Sequence, residues 1–212
     1  MIKFLNRSLL GGLLLCLLSL ITLNNAQAKS ILILGDSISA GFGMSSEEAW
    51  VSLLEQRLEQ KFPGQHEVIN SSMSGETAAG ALSRLPNLLQ NHQPDVVIIE
   101  LGGNDGLRGQ PPTLIERNLD RLVVMSLEAG ADTLLFGIKI PPNYGTAYSQ
   151  AFEDNFKRLA ERHEIPLLPF FLEGVAGNDD LMQADGIHPR AEAQPLLLDN
   201  AWPLIEKALQ KE

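Results

Sequence analysis

Short apolar runs alternate along the chain with longer segments of helical period. The runs lie at Ser30 to Leu34, Glu67 to Asn70, Asp95 to Leu101, Thr133 to Ile138 and Pro166 to Phe170, and are rich in Ile, Val and Leu. Nearly unbroken by polar residues, they suit strands buried on both faces. Between them Glu48 to Lys61, Ala78 to Asn91, Leu114 to Ala129 and Tyr148 to Glu164 are long enough for helices. Leu53, Leu54, Leu58 and Phe62 recur at three- and four-residue steps, as do Leu82, Leu85, Leu88 and Leu89, which gives each segment one apolar face. A last helix is expected over Arg190 to Gln210, interrupted by Pro195 and Pro203. Strands and helices in alternation call for a parallel sheet, because each crossover returns right-handed to the same sheet. The predicted fold is a three-layer α/β/α sandwich of about five parallel strands with helices on both faces.

The amino terminus departs from this pattern. Lys3 and Arg7 precede an apolar stretch from Leu9 to Leu23 and then Ala26-Gln27-Ala28, the order of a secretory signal peptide. An uncleaved anchor is the alternative, but about 15 apolar residues broken by Gly11-Gly12 fall short of the ~20 that a membrane span needs. Cys16 lies in this segment, and Leu13-Leu14-Leu15 before it lacks the small residue of a lipoprotein cleavage site. Cleavage after Ala28 leaves Lys29 to Glu212 as one domain without cysteine, held by its core alone. Removing two basic residues takes the formal charge from -10 to -12. Such a surface repels polyanions, which argues against nucleic acid and against docking on anionic lipid. A domain of this length buries roughly 70 % of its unfolded surface, enough for a stable monomer.

Ligands of such folds sit beyond the carboxyl ends of the strands, so the residues that follow each strand bear the candidate chemistry. After the first strand comes Gly35-Asp36-Ser37-Ile38-Ser39. Ser37 there reads either as a helix cap or as a nucleophile, and the G-x-S-x-G elbow is absent. After the second, Gly75 either offers its N–H to a ligand or only permits a turn before Thr77. After the third, Gly102-Gly103-Asn104-Asp105-Gly106 is costly in backbone entropy for a mechanical loop. The Asn104 amide can donate to a developing oxyanion without adding charge; a turn role is the alternative. Near the end, Asp185 precedes His188 across a glycine turn, and Pro189 both extends the backbone at His188 and can start the last helix. Asp185 can then hold one imidazole nitrogen and leave the other for Ser37. His66, His92 and His163 sit in polar settings typical of surfaces. Asp185 and His188 could instead ligate a metal, but no HExxH or clustered His/Cys supplies the remaining ligands, so no metal is expected. Leu107, Ile140, Pro141, Pro142 and Tyr144 follow the third and fourth strands and are the candidate walls of an apolar substrate groove, although core packing explains them almost equally well.

Taken together, Gly35-Asp36-Ser37, Gly75, Gly102-Gly103-Asn104-Asp105 and Asp185-Gly186-Ile187-His188-Pro189 resemble, in order and context, the four blocks of the SGNH (GDSL) hydrolases. Ile38 stands where leucine is usual. The stretches Leu101 to Gly109, Pro142 to Gly145, Pro166 to Phe171 and Ala193-Gln194-Pro195 are similar to the periplasmic thioesterase, lysophospholipase and arylesterase branch of that family, over nearly all of Ser30 to Leu209. The resemblance implies a flavodoxin-like fold, no cofactor, a periplasmic or secreted location, and hydrolysis of small-molecule acyl esters, thioesters and lysophospholipids. It implies Ser37 as nucleophile, His188 as general base, Asp185 as its partner, and the Ser37 N–H, Gly75 N–H and Asn104 side chain as oxyanion hole. A carbohydrate O-acetyl esterase and a non-enzymatic binding module on the same scaffold are the alternatives.

Overall fold

A computed structural model describes residues 28–211, so the expected leader, apart from Ala28, lies outside the described residues. Five strands form one parallel sheet in the order β2-β1-β3-β4-β5. They are β1 (Lys29–Gly35), β2 (His66–Asn70), β3 (Val96–Glu100), β4 (Asp132–Phe136) and β5 (Leu167–Leu168). The helices are α1 (Trp50–Lys61), α2 (Ala78–His92), α3 (Gly103–Leu107), α4 (Pro112–Glu128), α5 (Thr146–His163) and α6 (Gln194–Leu209). α1 packs with α6 on one face of the sheet, while α4 lies between α2 and α5 on the other, which makes the three-layer α/β/α sandwich. The path steps from β1 outward to β2 and then returns across β1 to β3. Strand order therefore reverses between β1 and β3, where Gly35 pairs with Glu100, and their loops diverge to leave a crevice.

The core lies between the central strands and both helical layers. Ile31 to Leu34 of β1 and every residue of β3 are fully buried, as continuous apolar strands covered on both faces must be. Edge strands do not share this environment. Val68 and Ile69 of β2 and both residues of β5 are only half-buried. β5 is also far shorter than its hydropathy suggests, because Pro166 and Pro169 flank Leu167–Leu168 and proline cannot donate to a ladder.

The last helix begins later than expected. Pro189 does not start it; a 3₁₀ turn at Ala191–Ala193 intervenes, and α6 opens with Pro195 in its first turn. Nor does Pro203 interrupt it. Its missing N–H costs the helix roughly 3 kcal/mol, which burial of Leu197, Leu198, Ala201, Trp202 and Ile205 offsets. Two histidines are less exposed than their sequence context suggests: the His66 Nδ1 accepts the Lys29 N–H at 3.2 Å, and the His163 Nε2 lies 2.9 Å from Asp120.

Candidate active site

Ser37 opens the turn that leaves β1. Gly35 ends the strand beside crowded atoms; a Cβ there would stand 2.7 Å from the Ser39 Cβ and 2.8 Å from a Glu100 carboxyl oxygen. The chain then curls as the Ala40 N–H donates to the Asp36 carbonyl at 2.9 Å and the Phe42 N–H to the Ser37 carbonyl at 3.0 Å. Ser37 is left 7 % exposed in the wall of a cleft.

His188 arrives from the long connection between β5 and α6. Its Nε2 lies 2.9 Å from the Ser37 Oγ, and its Nδ1 lies 2.7 Å from the Asp185 Oδ2. A carboxylate only accepts, so Nδ1 carries the hydrogen and Nε2 turns its lone pair to the hydroxyl. The Asp185 Oδ1 accepts the N–H groups of Ile187 at 2.9 Å and His188 at 3.0 Å. Partial burial raises the Asp185 carboxyl, but the His188 N–H, the imidazole and the Ile187 N–H outweigh it and hold the group at about 2. The ring of Phe42 covers the imidazole with centroids 4.4 Å apart.

Asn104 lies on α3 and lines the same cleft as Ser37 and His188. Its Nδ2 donates to the Asp36 Oδ2 at 3.1 Å, which leaves the second hydrogen of that amide for another acceptor. Gly75 does not line the cleft. It sits at φ +77° in a turn held to the end of β1 by the Met73 N–H, which donates to the Gly35 carbonyl at 3.1 Å. The Arg108 guanidinium donates to the Gly75 carbonyl at 3.0 Å. Among the described residues, neither the Ser37 nor the Gly75 N–H donates to a protein acceptor.

Three buried carboxyls lie behind these loops with no mark in the sequence, where they read as parts of turns and of a strand. Asp36 is 3 % exposed, and burial lifts it to about 6 against the Ile38 N–H, the electrostatic influence of His188 and the Asn104 amide. Glu100 is fully buried; desolvation and then the neighbouring Asp36 charge push it well above the ordinary carboxyl range. Its Oε2 accepts the Ser39 hydroxyl at 2.7 Å, and the Trp50 indole donates to that hydroxyl oxygen at 3.2 Å. Asp105 is raised by burial and accepts the Ala78 N–H at 2.9 Å, which ties α3 to the start of α2.

The cleft has a volume of about 470 Å³. Leu107, Ile140, Pro141 and Pro142 line it, and Tyr144 does not. The Tyr144 hydroxyl instead donates to the Leu107 carbonyl at 2.7 Å, holding the wall from behind. Phe170, Leu172, Met182 and Ile187 complete the apolar surface. No local pattern marks Phe170, Leu172 and Met182 for this role, and all four come from connections far from the Ser37 loop in sequence. Lys139 stands at the same cleft with its Nζ 4.8 Å from the Phe170 ring centroid.

A hydroxyl, an imidazole and a carboxylate in line beside an apolar cleft, at the switch point of a parallel sheet, are suited to acyl transfer. The chain belongs to the GDSL-like lipase/acylhydrolase family, whose model matches residues 33–195, and is an ester-bond hydrolase. It is 46 % identical over 194 residues to the esterase TesA of Pseudomonas aeruginosa, covering 92 % of this chain and 96 % of that protein. With thioesterase 1/protease 1/lysophospholipase L1 of Escherichia coli K12 it shares 46 % identity over 182 residues, 86 % of each chain. The crystal structure of the psychrotrophic esterase EstA from Pseudoalteromonas sp., inhibited by monoethylphosphonate, matches with a TM-score of 0.82 and 45 % identity, over 86 % of this chain and all of that one.

Proposed function

We propose that the protein is a periplasmic serine esterase that cleaves acyl esters, thioesters and lysophospholipids through an acyl-enzyme on Ser37. The contact of 2.9 Å between the Ser37 hydroxyl and His188, with Asp185 on the far side of the ring, carries this reading. As Oγ attacks the acyl carbonyl, His188 takes its proton and Asp185 stabilises the resulting imidazolium. Charge gathering on the carbonyl oxygen is met by the N–H groups of Ser37 and Gly75 and by the free hydrogen of the Asn104 amide. His188 then returns the proton to the leaving alcohol or thiol. The same imidazole activates the water that releases the acid and restores the hydroxyl.

The apolar cleft accepts the acyl chain, with Leu107, Ile140, Pro141 and Pro142 as walls and Tyr144 supporting them. Export is the role of residues 1–28, and no helix among the described residues is long and apolar enough to cross a membrane. The exported domain acts as a monomer.

Two measurements test this. A fluorophosphonate should label the wild-type protein and leave Ser37→Ala unlabelled; labelling of that variant would remove Ser37 as the nucleophile. Values of kcat/KM for oxygen esters, thioesters and lysophospholipids matched in acyl length should then persist or rise beyond acetate. Collapse beyond acetate would favour a carbohydrate O-acetyl esterase instead.

A further inference from the structure

We infer that Gln183 is a positioning residue that holds His188 in register with Ser37. The inference rests on the proposed roles of those two residues and concerns what keeps them together. Ser37 and His188 are 151 positions apart. The sheet fixes the turn after β1, but His188 lies in a connection whose regular structure is a 3₁₀ turn and one isolated bridge, Met182 to Pro189. The carboxylate of Asp185 bonds only within that connection, to Ile187 and to His188 itself. It orients the ring relative to its own loop and does nothing to hold the loop against Ser37.

Gln183 supplies that link. One hydrogen of its Nε2 goes to the Phe42 carbonyl at 2.8 Å and the other to the Pro189 carbonyl at 3.0 Å. Its backbone N–H donates to the His188 carbonyl at 2.8 Å, and its own carbonyl accepts the Gly186 N–H at 2.9 Å. Phe42 in turn donates its N–H to the Ser37 carbonyl at 3.0 Å. An unbroken path therefore runs from the Ser37 backbone through Phe42 and the glutamine amide to the backbone of His188 and Pro189. Among the described residues, the Gln183–Phe42 bond and the Ser37–His188 contact itself are the hydrogen bonds joining residues 36–45 to residues 178–193. Gly43 makes room for the clamp. A Cβ on it would stand 2.5 Å from the Gln183 Oε1 and 2.9 Å from its Nε2.

A primary amide is the group this geometry needs, since two carbonyls must be served by two hydrogens on one nitrogen. Met at 183 preserves length without a donor, and an ionised Glu preserves shape while turning acceptor against acceptor. Displacing a catalytic base by about 1 Å can cost about 100-fold in rate. Gln183→Met and Gln183→Glu should therefore each lower kcat on a p-nitrophenyl ester by roughly 10- to 100-fold. KM should stay within about twofold, because the cleft walls are untouched. Their rate of labelling by the fluorophosphonate should fall by the same factor as kcat. Labelling measured on protein first shown to be folded separates this from simple instability. Wild-type kcat and labelling in both variants would overturn the role of Gln183 while leaving that of Ser37 intact. A rise in KM with unchanged kcat would overturn it too, by making Gln183 part of the binding surface. Failure of the underlying reading looks different, as Ser37→Ala would then keep turnover whatever stands at 183.

Discussion

At the scale of single residues, the site depends on side chains that do two things. Asn104 spends one amide hydrogen on Asp36 and leaves the other for the proposed oxyanion role. Asn104→Ala should lower kcat about 10²- to 10³-fold, roughly 3 to 4 kcal/mol of transition-state stabilisation, with little change in KM. Steady-state kinetics at saturating ester check this, and wild-type turnover would remove Asn104 from the oxyanion hole. Ile140 lines the cleft and touches the core on its other side. Ile140→Ala should shift the preferred acyl length upward in a p-nitrophenyl ester series, at a stability cost of about 2 to 4 kcal/mol. Asp36 makes a prediction about pH. Its carboxyl titrates near 6 in the folded protein against an ordinary 3.8, so the folded state takes up the proton first as pH falls. The contribution of Asp36 to stability is therefore lost as pH rises from about 4 to about 6 and is level above that window. Asp36→Asn should flatten this slope in urea unfolding at pH 4 to 7, and parallel curves for the two proteins would show that Asp36 does not titrate there.

Among the elements, proline and tyrosine decide more than hydropathy. α3 and the residues after it are short of apolar anchors and are pinned by hydroxyls, with Tyr144 on the Leu107 carbonyl at 2.7 Å and Tyr148 on that of Gln110 at 2.6 Å. Hydropathy located the five strands and the five longer helices. It overstated β5, because runs of Leu and Phe do not reveal that flanking prolines deny the ladder its donors. It also missed α3, whose glycine-rich sequence reads as a loop until Ile140 and Phe152 are seen to crowd Gly106. Pro203, exposed within α6, withholds an N–H from the carbonyl of Asp199. Pro203→Ala should stabilise the protein by about 1 to 2 kcal/mol after allowing for the freer unfolded chain, read as a rise in Tm of roughly 3 to 6 °C.

The whole molecule adds a field that no single loop carries. With a formal charge of -10, or -12 if residues 1–28 are removed, the surface disfavours the approach of polyanionic thioesters. Raising salt screens that repulsion. For an acyl thioester of coenzyme A, kcat/KM should rise between low and physiological ionic strength, while a neutral p-nitrophenyl ester of equal acyl length should stay level. Equal salt responses from the two substrates would mean that the field does not reach the cleft mouth.

Sequence alone determined the alternation of strand and helix, the loops that bear the candidate chemistry, and the residue types at their tips. These are local properties, set by the period of apolar side chains and by what glycine, asparagine and histidine can do in a turn. Only the tertiary structure decided which atoms meet. The partner of Asn104, the clamp of Gln183, the retreat of Tyr144 from the cleft wall and the raised carboxyls of Asp36 and Glu100 arise where segments distant in sequence converge. Hydrogen bonds and desolvation act over a few ångströms in space, and distance along the chain carries no measure of that.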